Sequence, residues 1–124
     1  MAKFYICKKC GNLVAMINAS GAPMICCGEK MTELVAGTVE ASREKHIPVA
    51  EYKDGKVAVT VGSVIHPMIP EHSILWVCLE TDKGIAIKYL NPGEEPTVTF
   101  SLEDEKPLAV YAYCNLHGLW KADV

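Results

Sequence analysis

The sequence predicts a mainly β protein in which a small cysteine-rich module precedes an antiparallel β-sandwich or barrel. Four of the six cysteines fall within the first 27 residues, whereas all four histidines lie from His46 onward. Beyond Val49, apolar and polar residues alternate in short runs that proline and glycine interrupt, a pattern typical of antiparallel strands. We therefore expect two modules, each with its own metal site.

The composition is that of a globular chain with no surplus of positive charge. Of its 124 residues, 50% are hydrophobic and 22% are charged, and 12 basic against 15 acidic side chains give a net charge of −3. We therefore expect neither nucleic acid nor a membrane as a partner. The N-terminus lacks the apolar run of a secretory signal, so we expect a cytoplasmic protein, in which cysteines usually serve metals or redox chemistry.

The first module is expected over residues 1–36, which are too few to bury a sufficient core without a metal or a disulfide. It contains a CxxC pair followed by two adjacent cysteines, each pair next to a glycine. The four candidate ligands are Cys7, Cys10, Cys26 and Cys27. Four thiolates can form a tetrahedral shell, although adjacent cysteines require the backbone to bend. Spacing alone does not decide between zinc and iron.

Residues 37–43 are expected to link this module to a second domain over residues 44–124. The segment AEYKDGKVAVTVG predicts a hairpin that turns at Asp54-Gly55, with Val57, Val59 and Val61 on one face. In ILWVCL, Ile74, Trp76 and Cys78 alternate with Leu75, Val77 and Leu79. Further alternating runs lie at 85–87, 98–102 and 108–112. We expect Cys78 to be a buried, inert thiol and both tryptophans to be packing residues.

The second domain contains five further candidate ligands at turns or strand ends beside proline or glycine. They are His46 in EKHIP, His66 and His72 in HPMIPEH, and Cys114 and His117 in CNLHG. Structural zinc prefers four ligands with more sulfur, whereas imidazole nitrogen with one thiolate suits iron or copper. Five ligands leave one octahedral position open, which indicates chemistry on a small molecule.

Two charged residues, Glu44 and Lys45, directly precede the first of these histidines. By composition alone they could equally be solvated charges at a strand entrance. Beside an open metal position, however, Glu44 could cap the oxidised metal and Lys45 could attract an anion.

Two other classes of protein remain open at this point. Blue-copper electron carriers are β-sandwiches with Cys-x-x-His near the C-terminus, but their weak axial methionine normally follows soon after, and residues 118–121 contain none. A zinc-stapled interaction module would explain the first four cysteines and leave the histidine loops unused. Metal analysis distinguishes iron in two forms from copper and from zinc.

The motifs together resemble a known family over nearly the whole chain. CxxC followed by the Cys-Cys pair resembles the desulforedoxin-type iron module, which is rubredoxin-like. The segments EKHIP, HPMIPEH and CNLHG resemble the iron-binding loops of the desulfoferrodoxin family of two-iron superoxide reductases.

The resemblance implies two non-haem iron ions, one in the four-cysteine module and one in an immunoglobulin-like sandwich. The second, catalytic ion would be held equatorially by His46, His66, His72 and His117 and axially by Cys114. Glu44 matches the carboxylate that occupies the sixth position in the ferric state, and Lys45 matches the lysine associated with superoxide attraction and protonation. The resemblance further implies reduction of superoxide to hydrogen peroxide without oxygen release, a donor protein such as rubredoxin, and a homodimer.

Overall fold

The structure is a computed structural model that describes residues 2–124. The chain divides into two compact units, of which the first ends at Val35 and the second begins at Ala36. The one α-helix among the described residues is α1 (Arg43–His46), which has four residues. None of the described segments forms a helix long and apolar enough to cross a membrane.

The first unit consists of short antiparallel strands. They are β1 (Phe4–Ile6), β2 (Leu13–Ala15), β3 (Ile25–Cys26), β4 (Glu29–Lys30) and β5 (Thr32–Glu33). One sheet has the order β2-β1-β5, and β3 and β4 form a separate pair. Few apolar side chains are buried here, Phe4 and Met31 among them, as expected for a module of this length.

The second unit is an antiparallel β-sandwich, which confirms the predicted class. Its strands are β6 (Pro48–Lys53), β7 (Lys56–Val61), β8 (Ile74–Thr81), β9 (Gly84–Tyr89), β10 (Thr97–Ser101), β11 (Pro107–Cys114) and β12 (Gly118–Asp123). A three-stranded sheet has the order β10-β7-β6, and a four-stranded sheet has the order β12-β11-β8-β9. The core contains residues of both sheets, an arrangement typical of immunoglobulin-like sandwiches.

The predicted hairpin is present as β6 and β7. Asp54 and Gly55 connect the strands with φ angles of 53° and 73°, which are those of the type I′ turn favoured by Asp-Gly. Val57, Val59 and Val61 are buried in the core, whereas Ala58 is exposed. The period of two in the sequence thus identified the core face of β7 correctly.

The predicted alternation along β8 is wrong at its first residue, because a bulge interrupts the pairing with β11. Trp76 pairs with Tyr113, but the next pair is Ile74 with Cys114, which leaves Leu75 as an extra residue. Ile74 therefore lies in the core with Val77 and Leu79, rather than on the face of Trp76 and Cys78. A bulge reverses the facing of every residue beyond it.

Strand pairing brings the histidine segments to one end of the sandwich. Pro48 pairs with Val61, so the start of β6, just after α1, lies beside the end of β7. Cys114 pairs with both Ile74 and Gly118, so the end of β11 lies beside the starts of β8 and β12. The β7–β8 connection, residues 62–73, crosses this same end. The strand β12 itself was not indicated by the sequence pattern.

Candidate metal centres

The four cysteines of the first unit lie close enough to share one metal ion. Their sulfur atoms are all within 4.8 Å of one another. Cys26 Sγ lies 3.6 Å from Cys10 Sγ and 4.0 Å from Cys27 Sγ. Four sulfurs placed about 2.3 Å from one ion in a tetrahedron are separated by about 3.8 Å. The donor set therefore fits tetrahedral iron or zinc.

The backbone bends at the adjacent cysteines as predicted. Cys27 has a φ of 52° and Gly28 a φ of 74°, so two consecutive residues adopt the left-handed conformation. This conformation is disfavoured for a residue with a Cβ. The bend allows the thiols of Cys26 and Cys27 to face the same centre although adjacent side chains would otherwise diverge.

Asn12 contacts this centre, and the sequence analysis did not identify it. Its backbone N–H donates to Cys10 Sγ at 3.5 Å, and its side-chain Nδ2 donates to Cys26 Sγ at 3.7 Å. Thiolate charge can be compensated by lysine or by N–H groups, but the ammonium of Lys9 lies 3.3 Å from the carboxylate of Glu29. Part of the compensation is therefore supplied by N–H groups rather than by lysine.

Two of these thiols, Cys7 and Cys27, have pKa values shifted in opposite directions. A backbone N–H bond from Cys10 lowers the pKa of Cys7 to about 6, whereas hydrogen bonding to Cys10, and then to Cys7 and Cys26, raises the pKa of Cys27 to about 12. Closely spaced thiolates repel one another. The last of the four thiols to lose its proton therefore does so only when a metal cation lies between the sulfur atoms.

In the second unit, the four imidazoles form a closed ring of side chains. Successive members are 4.5–5.1 Å apart between ring centroids and nearly perpendicular, with interplanar angles of 73–88°. The order around the ring is His46, His66, His72, His117 and back to His46. His46 and His72, on opposite sides, are 6.1 Å apart and inclined by only 28°. This arrangement points one nitrogen of each ring toward a common centre.

Two main-chain carbonyls fix which nitrogens face that centre. His46 Nδ1 lies 2.7 Å from Ser42 O, and His66 Nδ1 lies 2.7 Å from Pro67 O. A carbonyl only accepts hydrogen bonds, so each Nδ1 carries the proton and each neutral ring presents a bare Nε2. These two Nε2 atoms are 3.1 Å apart, and His46 Nε2 is 3.2 Å from His117 Nδ1. Nitrogens about 2.1 Å from one ion at right angles are about 3.0 Å apart.

Burial favours the neutral form of three of the four imidazoles. Loss of solvent is the largest cause that lowers the pKa values of His46, His66 and His72, and for His66 the value falls to about 4. His72 Nε2 is buried without a hydrogen-bond partner among the described residues. Uncharged lone pairs that face one another in a buried space are stabilised by a cation.

Cys114 supplies one sulfur to the same centre from the end of β11. It is fully buried, and its Sγ lies 3.9 Å from His117 Nδ1. Burial raises the pKa of its thiol, and N–H groups of Leu116 and His117 oppose that rise. His46, His72, Cys114 and His117 offer ligand atoms within 4.8 Å of one another, and His66 completes the set through its contact with His46. One thiolate among imidazoles is a donor set that suits iron.

Glu44 and Lys45 lie on α1 immediately before His46, and both side chains are exposed. The positive charge of Lys45 contributes to lowering the pKa values of His46 and His72, so its ammonium acts electrostatically on the centre. Glu44 has a pKa lowered mainly by its own backbone N–H. The structure thus places two exposed charged side chains one and two residues before the buried His46.

Two further residues support the second centre, and neither was assigned to it from the sequence. Trp120, predicted as packing, is 2% exposed; its ring lies 5.1 Å from that of His46 and its Nε1 donates to His117 O at 3.0 Å. Gly62, with a φ of 89°, lies against the main chain of α1, because a Cβ there would lie 2.8 Å from Glu44 O. The sequence could have indicated Gly62, because it is a glycine that directly follows the predicted buried strand.

Comparison with known proteins gives matches over both units. The family model described as "Desulfoferrodoxin" matches residues 38–123, and "Desulfoferrodoxin, N-terminal domain" matches residues 1–34. The chain is 43% identical over 121 residues to desulfoferrodoxin of Nitratidesulfovibrio vulgaris, covering 98% of this chain and 95% of the relative. It is 40% identical over 99 residues to a superoxide reductase of Thermococcus kodakarensis, covering 65% of this chain and 86% of the relative. The crystal structure of the superoxide reductase from Treponema pallidum matches with a TM-score of 0.82 and 44% identity over 98% of each chain.

Proposed function

The chain belongs to the desulfoferrodoxin family, and we propose that it is a superoxide reductase. The reaction combines one superoxide anion, one electron and two protons into one molecule of hydrogen peroxide, and no oxygen is released. The observation that carries this proposal is the convergence of four imidazoles and one thiol at one end of the sandwich.

Two iron ions fit the two donor sets. Cys7, Cys10, Cys26 and Cys27 would hold the first, and Cys114 with the four histidines would hold the second. When bound at the second site, ferrous iron supplies the single electron that superoxide accepts. We propose that residues 1–36 and 44–124 form the two iron domains and that residues 37–43 link them.

The protein prepares the second site by fixing the direction of its lone pairs. Ser42 O and Pro67 O hold the ring protons of His46 and His66 on Nδ1, so each Nε2 remains available to a metal. The rings of His46 and His66 are buried, whereas those of His72 and His117 are half-buried. The partial exposure of these two rings leaves the centre accessible to a small anion such as superoxide.

The two charged residues of α1 have complementary roles in the proposal. Lys45 attracts the superoxide anion, since its charge already acts on His46 and His72, and its ammonium is a candidate source of a proton. Glu44, one residue earlier, is the candidate carboxylate that closes the site after the electron has left. The anion is thus drawn in by a local positive charge although the chain carries a net charge of −3.

A reductase that gives up one electron per turnover requires an external donor. We propose a small electron-transfer protein of the rubredoxin type for this step, a homodimeric assembly, and a cytoplasmic location. The donor protein and the homodimer rest on the family resemblance of the motifs.

The test is stopped-flow mixing of the reduced, iron-loaded protein with superoxide. Hydrogen peroxide should form in a one-to-one ratio with superoxide consumed, with no oxygen released. Release of one oxygen molecule for every two superoxide anions consumed would indicate dismutation instead. Metal analysis of the same sample should give two iron ions per chain; copper at the second site, or zinc alone, would contradict the proposal.

A further inference from the structure

Asn115 lies in the turn between β11 and β12 and binds the main chain on both sides of His72. Its Nδ2 donates to Glu71 O at 3.0 Å, and its Oδ1 accepts from Ser73 N at 3.0 Å. Its backbone N–H also donates to Ser73 O at 3.2 Å. The residue next to the Cys114 ligand therefore holds both neighbours of the His72 ligand.

Hydrogen bonds within the turn that carries His72 fix its shape, but its position relative to the other ligands requires a contact from outside the turn. Ile69 and His72 exchange two main-chain hydrogen bonds of 3.1 Å, with Pro70 at the position that β-turns favour. These bonds shape the turn without locating it relative to Cys114 and His117. The bonds from Asn115 supply that location, because they begin within the turn that carries both of these ligands.

Two of the other three histidines have their rings held through Nδ1, the nitrogen that faces away from the centre. Carbonyl oxygens of Ser42 and Pro67 hold the rings of His46 and His66. His72 Nε2 has no hydrogen-bond partner among the described residues. This nitrogen faces the centre, and the main chain that carries its ring is bound on both sides by Asn115.

We propose that Asn115 is a positioning residue that sets the distance of His72 from the sulfur of Cys114 and from His117 Nδ1. The role requires a short side chain with one donor and one acceptor. Asparagine has both, whereas aspartate would set a carboxylate against the carbonyl of Glu71. The inference rests on the proposed function only in requiring that the second site bind a metal ion.

The test measures metal retention at the two sites of one chain. Wild type, Asn115→Ala and Asn115→Asp are loaded with ferrous iron and challenged with a chelator. Loss of a hydrogen bond that orients a ligand typically weakens metal binding by about 10-fold or more. We expect iron to leave the second site about 10-fold faster in Asn115→Ala, and faster still in Asn115→Asp, while release from the four-cysteine site stays unchanged.

A second readout separates positioning from a general effect on folding. The sulfur-to-iron absorption band of the oxidised second site should shift in both variants, while the urea midpoint falls only modestly, because Asn115 itself is exposed and the effect is confined to the contacts of one turn. Asn18→Asp, an exposed residue of the first unit with the same change of charge, serves as the control and should behave as wild type.

Three outcomes would overturn the inference. An unchanged release rate and absorption band in Asn115→Ala would show that His72 is placed without this side chain. Equal loss from both sites together with a lowered urea midpoint would show a general structural role. Failure of the wild type to load the second site would overturn the proposed function first and this inference with it.

Discussion

At the scale of single residues, the second centre is defined by which atom of each ring faces inward. His46 and His66 present Nε2 because main-chain carbonyls occupy their Nδ1 atoms, whereas His117 approaches through Nδ1. Sequence motifs identify a histidine but not its tautomer, which depends on the acceptor that the fold supplies.

Lys45 should govern the encounter with superoxide. Replacement by alanine removes the positive charge beside His46 and His72, and we expect the second-order rate constant at low salt to fall by roughly 10-fold. The dependence of that rate on ionic strength should also weaken. Lys45→Arg keeps the charge and is the matched control. Stopped-flow rates at several salt concentrations measure the effect, and an unchanged rate in Lys45→Ala would refute the role.

Glu44 should affect the oxidised state more than the reduction itself. Glu44→Ala removes the candidate carboxylate but leaves the nine metal-ligand candidates intact, so peroxide formation should be largely preserved while the ferric absorption spectrum changes. The comparison is Glu40→Ala, an exposed glutamate that precedes α1 and should leave the spectrum unaltered. Loss of iron from Glu44→Ala would instead mean that the carboxylate has a structural role.

At the scale of elements, the site depends on how closely α1 approaches the end of β7. Gly62 makes this approach possible. Val64 N donates to Glu44 O at 2.9 Å across it, and a Cβ at position 62 would overlap Val64 O and lie 2.7 Å from Lys45 O. The segment that carries Glu44, Lys45 and His46 thus packs directly against the main chain of a residue that has no side chain.

Gly62→Ala should destabilise the protein and disturb the second site. Its φ of 89° is unfavourable for alanine and its contacts are too close, so we expect a loss of roughly 2–5 kcal/mol in the free energy of unfolding. Gly93→Ala is the control, since Gly93 has a φ of 91° but open space around a Cβ; it should cost about 1–2 kcal/mol. Denaturant unfolding and iron retention measure both. If Gly62→Ala and Gly93→Ala lowered the free energy of unfolding and iron retention equally, the packing of Gly62 against α1 would not have the proposed role.

At the scale of the whole molecule, the two units rely on different sources of stability. The second unit has a core built from both sheets of its sandwich, whereas the first ends at Val35 and buries few apolar side chains. Units of such length commonly need a metal to fold.

Removal of the first metal should therefore unfold one unit and leave the other folded. In a full-length variant with Cys10 and Cys26 changed to serine, amide protons of the first unit should lose their protection from exchange. Those of β7, β8 and β11 should keep theirs. The control is Cys78→Ser, which changes a thiol outside both metal sites. Full protection of the first unit without metal would show that its own packing suffices.

Stability should fall under alkaline conditions because Cys78 is buried. Burial raises the pKa of its thiol from 9.0 to about 12, so the unfolded chain releases this proton before the folded chain does. The free energy of unfolding should decline between these two pKa values by at most about 1.4 kcal/mol per pH unit from this group. Cys78→Ala should reduce the slope measured by urea unfolding at pH 8, 9.5 and 10.5. Burial also raises the pKa of Tyr111, so some slope remains; an identical slope in both proteins would contradict the assignment to Cys78.

The sequence by itself determined the β class, the Asp54-Gly55 hairpin and the candidate ligands, because these follow from local periodicity, turn chemistry and donor type. It could not determine the bulge at Leu75, the pairing of β12, or the close packing of α1 against Gly62. Nor could it show which nitrogen of each ring faces inward, or that Asn115 holds the neighbours of His72. Only the tertiary structure decided these features, since each depends on main-chain atoms that distant parts of the chain bring into contact.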